Sequence, residues 1–285
     1  MSMISTEHIT PEVFFTDRKK FPSLFSLREY FFPSGCGGCG KPLLGFEAAY
    51  YGLCKTCRDL FIIMSRDEKY CEYCGKPLIT ENNICLHCRE IRNSGDVLTN
   101  ASYNEWLVKM RILFPYSGKF KKILGAYKFG KSLGIGNFLA GYLTMALNDL
   151  SLPASGAAWV PVPPRPGKIK KQGWDQIEFM AGLLEKEYRR SEKLVKNQPV
   201  STEVPVVPIN VNRCLKRLRS RSQKKLNREE RKTNLKGRIL CVKKPPATAI
   251  LFDDVFTTGA TMNACAAALL EGGAERVYGV CLFYD

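Results

Sequence analysis

Eight of the twelve cysteines fall between residues 36 and 88, as four Cys-x-x-Cys pairs: Cys36/Cys39, Cys54/Cys57, Cys71/Cys74 and Cys85/Cys88. The pairs belong to an internal repeat. Cys36-Gly37-Gly38-Cys39-Gly40-Lys41-Pro42-Leu43 matches Cys71-Glu72-Tyr73-Cys74-Gly75-Lys76-Pro77-Leu78, and Leu53–Leu60 matches Ile84–Ile91. Each copy is a knuckle followed by a second Cys-x-x-Cys pair. A knuckle turns the backbone so that two thiolates face one point, and the glycine after its second cysteine relieves the turn. Four sulfurs from two such pairs make a tetrahedral zinc site. The simplest pairing puts Cys36, Cys39, Cys54 and Cys57 on one ion and Cys71, Cys74, Cys85 and Cys88 on another. A disulfide framework is the rival, but no secretory signal supports it. His87 lies inside the last knuckle and is read as a bystander. Each four-thiolate centre carries about −2. The module therefore reads as a structural or docking element, with a core too small to hold without its metals.

The other half of the chain has a different signature. Ala249 to Phe252 is apolar on both faces, as a central parallel strand must be. Asp253 and Asp254 follow, then a turn rich in hydroxyls, Thr257-Thr258-Gly259-Ala260-Thr261. An Ala-rich helix continues to Leu270 and Gly272-Gly273 stops it. Backbone N–H groups and three threonine hydroxyls then meet in one cup at a helix N-terminus, which suits a phosphate monoester. The two carboxylates suit ribose hydroxyls or a magnesium ion better than phosphate.

Strands alternating with helices predict an α/β domain with a parallel sheet. Strands are expected at Ala157–Pro163, Arg238–Val242, Ala249–Phe252 and Arg276–Phe283, with a strand end at Pro205–Pro208. Helices are expected at Leu133–Leu150 and Trp174–Arg190, and a short apolar one between Phe21 and Pro33. Tyr103–Gly125 reads as a connector. The division is a flexible N-terminus over 1–20, a helix plus double zinc module over 21–100, and the α/β domain over 101–285. Cys241, Cys265 and Cys281 read as core fillers. No apolar run reaches membrane-spanning length, and a cytoplasmic protein is expected.

The formal net charge is +16, and all of the excess lies beyond residue 110. Residues 213–244 hold 14 Lys and Arg against Glu229 and Glu230. The long basic loop 213–236 is expected to be mobile, either a lid over an anionic ligand or a contact for nucleic acid through Arg217, Arg219, Arg221, Lys224 and Lys225. Pro163–Lys168 follows a strand, so Arg165 or Lys168 reaches toward the same ligand.

The segment Ile250–Thr261 resembles the phosphoribosyl pyrophosphate signature of type I phosphoribosyltransferases. The resemblance implies that Asp253 and Asp254 hold ribose hydroxyls, and that Thr257, Thr258, Gly259 and Thr261 hold the 5′-phosphate. The implied substrate site takes in Asp253, Asp254, Val255, Phe256, Thr257, Thr258, Gly259, Ala260 and Thr261, with Arg165. The paired knuckles, Val160–Pro163, Gly173-Trp174-Asp175-Gln176, Gln223–Asn234 and Asp253–Thr261 together resemble the ComF family over roughly residues 22–285. That resemblance implies a type I phosphoribosyltransferase-like parallel sheet, flanked by helices, behind a small double zinc-ribbon module with four cysteines to each ion. It also implies a link to natural competence, with phosphoribosyl pyrophosphate, Mg2+ and single-stranded DNA as ligands and other DNA-uptake proteins as partners. Many members have Arg-Gly-Phe-Asn-Gln where this chain has Gln172–Gln176, so Lys170 or Lys171 stands in for the arginine. Three readings stay open: a binding module, an active phosphoribosyltransferase of nucleotide metabolism, and a sensor of the nucleotide precursor. No general base stands out, since His8 and His87 both lie N-terminal to the cleft.

Overall fold

The computed structural model describes residues 34–43, 45, 47–64, 69–78, 80–93, 107–150, 152, 156–197, 209–219 and 237–285. The expected flexible N-terminus, the Phe21–Pro33 helix, the Pro205–Pro208 strand end and most of the basic run lie outside these residues.

Each cysteine repeat folds into a two-strand clip and a helix. In the first copy, β1 (Ser34–Gly35) pairs antiparallel with β2 (Pro42–Leu43); a π-turn (Glu47–Tyr51) leads to α1 (Lys55–Met64). The second copy repeats this with β3 (Lys69–Tyr70), β4 (Pro77–Leu78) and α2 (Leu86–Asn93). The chain continues through β5 (Lys109–Pro115), α3 (Gly118–Lys128), α4 (Leu133–Met145), β6 (Ala157–Pro161), α5 (Lys168–Gln172) and α6 (Gln176–Asn197). Then come β7 (Asn210–Val211), β8 (Leu215–Arg217), β9 (Ile239–Cys241), β10 (Thr248–Phe256), α7 (Ala260–Glu271) and β11 (Arg276–Tyr284).

Contacts group these elements into two units. One holds the first cysteine copy, up to Arg66, with Ser117–Leu147; the other holds Asp67–Tyr116 with Asn148–Asp285. In the first unit Phe61 of α1 is fully buried among Phe120, Phe138 and Tyr142, with ring centroids 4.8, 5.0 and 5.6 Å away. Gly134 of α4 lies directly on the turn before α1. A Cβ there would come within 2.6 Å of the Gly52 nitrogen, so only glycine allows this approach of two backbones.

The second unit is built on a five-stranded sheet in the order β5-β11-β10-β6-β7, with every pair parallel. Ile250 sits between Tyr278 and Trp159 in register, and Ala249–Phe252 is fully buried. Helices cover a parallel sheet, so its central strands are apolar on both faces, as β10 and β11 are.

The expected strands of the domain core are all present, with two differences of placement. The segment read as a connector contains β5, an edge strand of the main sheet. Its apolar run is broken by Arg111, which masks the strand pattern; the guanidinium is accommodated because it stacks 4.3 Å over the Tyr70 ring of the second cysteine copy. The strand at Arg238–Val242 exists as β9 but pairs antiparallel with β8 in a separate ribbon. Leu215, Ile239 and Cys214 of that ribbon share one apolar cluster with Cys265, Ala268 and Leu269 of α7.

Candidate metal centres and a candidate phosphate site

The eight knuckle cysteines form two groups of four, Cys36, Cys39, Cys54 and Cys57 in one, and Cys71, Cys74, Cys85 and Cys88 in the other. Within each group the sulfurs all lie within 4.8 Å of one another. Cys39 and Cys54 sulfurs are 3.7 Å apart, as are those of Cys74 and Cys85. A tetrahedron with zinc–sulfur bonds of about 2.3 Å has edges of roughly 3.8 Å. A disulfide needs about 2.05 Å. The donor set and spacing therefore fit zinc, the pairing is the one expected from the sequence, and all twelve cysteines are unbridged.

The turns that aim these sulfurs are the same in both copies. Cys36 N–H donates to the Lys41 carbonyl at 2.8 Å, and Cys71 N–H to that of Lys76 at 2.8 Å. Gly40 N–H and Gly75 N–H return to the carbonyls of Cys36 and Cys71 at 2.8 and 2.9 Å. Both glycines have positive φ, +79° and +70°. Across each site a backbone N–H, of Cys54 or Cys85, points at the first sulfur from 3.3 Å. Burial opposes ionisation of Cys36, but backbone donors from Cys54, Cys39 and Gly38 outweigh it and bring the thiol down to about 7. A thiolate is the form that binds metal.

The second candidate site lies at the carboxyl ends of β6 and β10. From β6 the chain passes through α6 to β7 on one side; from β10 it passes through α7 to β11 on the other. The gap between β6 and β10 is thus the point where the winding direction switches, which is where open α/β sheets leave a crevice for ligands. Asp253 and Asp254 lie near the carboxyl end of β10 there. The turn Thr257–Gly259 leads into α7, and Gly259 caps that helix in the left-handed region, φ +72°. Thr257 is exposed, and Thr258, Ala260 and Thr261 are half-buried. The expected site residues from Asp253 to Thr261 are thus one continuous strand-turn-helix, with Val255 half-buried and Phe256 in the core. Arg165 is an exposed residue of the loop leaving β6.

Asp254 is 5% exposed, and its Oδ2 accepts from Gln176 Nε2 at 2.6 Å. Lys168 Nζ donates to both Gln176 Oε1 and Asp175 Oδ2. Asp175 Oδ1 in turn accepts the backbone N–H groups of Ile177 and Glu178 at 2.9 and 3.1 Å, capping α6. The Gly173–Gln176 motif, picked out only by family resemblance, is therefore the brace that orients the second acid. Lys168 is held in this brace; Lys170 and Lys171 are exposed on α5.

The basic segment divides. Arg221, Lys224 and Lys225 lie outside the described residues. Arg219 and Lys216 are exposed. Arg213 is fixed: its Nε donates to Glu178 at 2.7 Å and its Nη1 to Glu185. Arg217, expected among the nucleic-acid contacts, is only 8% exposed, on a ribbon strand packed toward α7. The start of the expected mobile loop is thus an ordered ribbon anchored by ion pairs. The sequence hid this because charge alone does not separate a solvated run from one in which Cys214, Leu215 and Arg217 are buried. Cys265 and Cys281 are fully buried, as core fillers should be, and burial pushes both thiols up.

Among the described residues no helix is long and apolar enough to cross a membrane. Residues 27–89 match the double zinc ribbon domain family, which takes in both cysteine groups. The chain is also similar to Competence protein F of Haemophilus influenzae (strain ATCC 51907 / DSM 11121 / KW20 / Rd). The two are 26% identical over 258 residues, covering 87% of this chain and 95% of that protein. Both matches agree with the resemblance to the ComF family read from the sequence.

Proposed function

We propose that this chain is a ComF-family protein that binds phosphoribosyl pyrophosphate with Mg2+ at the β10–α7 turn and single-stranded DNA through its basic segment, and that it acts in DNA uptake during natural competence. The observation that carries the ligand reading is the position of Asp253–Thr261 at the switch point of the sheet, with a left-handed glycine opening α7. In this reading the backbone N–H groups and hydroxyls of Thr257, Thr258 and Thr261 take the 5′-phosphate. Asp253 and the braced Asp254 take the ribose hydroxyls or the magnesium ion. The competence reading is supported by the name of the relative from Haemophilus influenzae. Free, clustered thiols need a reducing environment, which supports a cytoplasmic location.

Calorimetry in magnesium buffer tests the ligand. Asp253→Asn with Asp254→Asn is expected to abolish most of the binding of phosphoribosyl pyrophosphate. Thr258→Val is expected to cost about 1.5–3 kcal/mol, the worth of a charge-assisted hydrogen bond. Wild type and variants binding alike would remove the site. Release of pyrophosphate in the presence of a panel of bases separates a transferase from a binding module. For DNA, anisotropy of labelled single strands across a salt series is expected to show affinity falling steeply with salt and little sequence preference. No binding at low salt removes DNA from the function.

A further inference from the structure

Arg217 is the least expected side chain of the second unit. It is one of four buried polar or charged residues among the described ones, at 8% exposure. Its Nε and Nη2 atoms are buried and have no hydrogen-bond partner among the described residues. A buried cation without partners is costly, so such a group is retained where a ligand completes it. The ribbon that carries it sets its place: Leu215, on the same buried face of β8, and Ile239, the register partner of Arg217 on β9, share one apolar cluster with Val162, just after β6, and Phe256, at the end of β10. Burial depresses its affinity for a proton, Arg165 depresses it further, and Asp253 opposes both. Val162 and Arg165 follow β6 and Phe256 ends β10, so the packing of the ribbon sets the guanidinium beside the crevice at the sheet's switch point. The third neighbour, Cys265, is a fully buried residue of α7.

A buried guanidinium with two unpaired nitrogens, on the side of the crevice where the loop carrying the exposed Arg165 leaves β6, is a receptor for a polyanion. A phosphate monoester is already provided for at the β10–α7 turn. We propose that Arg217 is a ligand-binding residue, a buried donor that with Arg165 takes the pyrophosphate group of the bound sugar phosphate. The assignment rests on the phosphoribosyl pyrophosphate reading for the identity of the ligand, but the anion site itself is argued from the guanidinium. Arg217 then has a different task from Arg219, two residues on and exposed, and it is not part of a surface for DNA.

Binding of three probes tests this: magnesium pyrophosphate, ribose 5-phosphate and phosphoribosyl pyrophosphate, each titrated into the full chain, Arg217→Met and Arg217→Lys. Arg217→Met is expected to weaken pyrophosphate and phosphoribosyl pyrophosphate by about tenfold or more while ribose 5-phosphate stays within about twofold. Arg217→Lys, which keeps the charge but not the fork, is expected to fall between. Without ligand, Arg217→Met is expected to melt no lower than wild type, because it removes an uncompensated buried charge. DNA affinity is expected to be unchanged. If pyrophosphate binds wild type and Arg217→Met equally, or does not bind wild type, the proposal is overturned; so too if Arg217→Met lowers DNA affinity and spares pyrophosphate. If pyrophosphate binds through Arg217 but phosphoribosyl pyrophosphate does not bind at all, the anion site stands and the sugar-phosphate reading falls.

Discussion

The first cysteine copy and the second share their turn hydrogen bonds almost atom for atom, yet they are seated on different things. The first copy packs Phe61 among the aromatic rings of α3 and α4 and lays Gly52 on Gly134. The second is fastened to the sheet edge: Ile112 N–H of β5 donates to the Gly75 carbonyl at 3.0 Å, and Lys76 Nζ to the Asp285 carbonyl at 3.2 Å. Burial follows the seat. All four sulfurs of the second group are buried, whereas Cys39 of the first is exposed. The local fold of a knuckle is written in Cys-x-x-Cys-Gly; its place in the protein is written in residues outside the repeat.

The largest expected effect comes from removing a metal ligand, because binding of structural zinc is worth about 10–16 kcal/mol of folding energy in small zinc modules. Cys36→Ser and Cys71→Ser are each expected to lose about one zinc equivalent of two. Their consequences should differ by seat. Hydrogen exchange should quicken in α3 and α4 for Cys36→Ser, and in β5 for Cys71→Ser. Elemental analysis with exchange mass spectrometry reads both. Loss of protection at the same segments in both variants would erase the distinction between the copies.

Next come the equivalent glycines. Gly40→Ala has open space around its Cβ and meets only the strain of a left-handed backbone, about 1–2 kcal/mol. Gly75→Ala meets the same strain, and its Cβ would lie 2.2 Å from the Met110 carbonyl oxygen of β5. Backbone on both sides leaves nothing flexible to yield, so about 3 kcal/mol or more is expected. Urea unfolding of the two variants sharpens the comparison, and equal midpoints would break it.

The same division between local and distant determinants explains how much of the molecule is legible in the sequence. The metal ligands, their grouping, β10, its turn and α7 are readable because each is local: a spacing, an apolar run, a glycine at a helix start. The five-stranded parallel sheet is readable in class because its strands are apolar on both faces. What escapes is non-local. Nothing in Lys109–Pro115 announces that it will pair with β11 and carry a zinc knuckle, since Arg111 breaks the strand pattern and finds its ring partner only in Tyr70 of the second cysteine copy. Nothing in Leu215-Lys216-Arg217 distinguishes a buried arginine from its exposed neighbours, since the difference is made by α7, more than forty residues further on. The link from Gln176 to Asp254 is invisible for the same reason.

The smallest expected effect separates two arginines that stand at equivalent places after the second Cys-x-x-Cys of each copy. Arg58 lies 3.9 Å over the Tyr51 ring and donates to Glu47 Oε1 at 3.1 Å, and its side chain is 12% exposed. A stacked, largely desolvated guanidinium on an aromatic ring is worth about 0.5–2 kcal/mol, and the partly exposed pair with Glu47 adds about 0–1 kcal/mol after screening. Arg89 Nη2 donates to the Ile84 carbonyl at 3.3 Å, a long bond worth at most about 1 kcal/mol. Arg58→Ala is therefore expected to destabilise by about 1–2 kcal/mol and Arg89→Ala by about half as much or less, read as shifts in urea midpoint at full zinc occupancy. Salt refines the assignment. The stack on Tyr51 is short-range and desolvated, so most of the Arg58 effect should survive about 0.5 M salt, while the Glu47 share is screened away. If Arg89→Ala costs as much as Arg58→Ala, the stack and the ion pair contribute nothing beyond the shared turn, and the two copies differ only in where they sit.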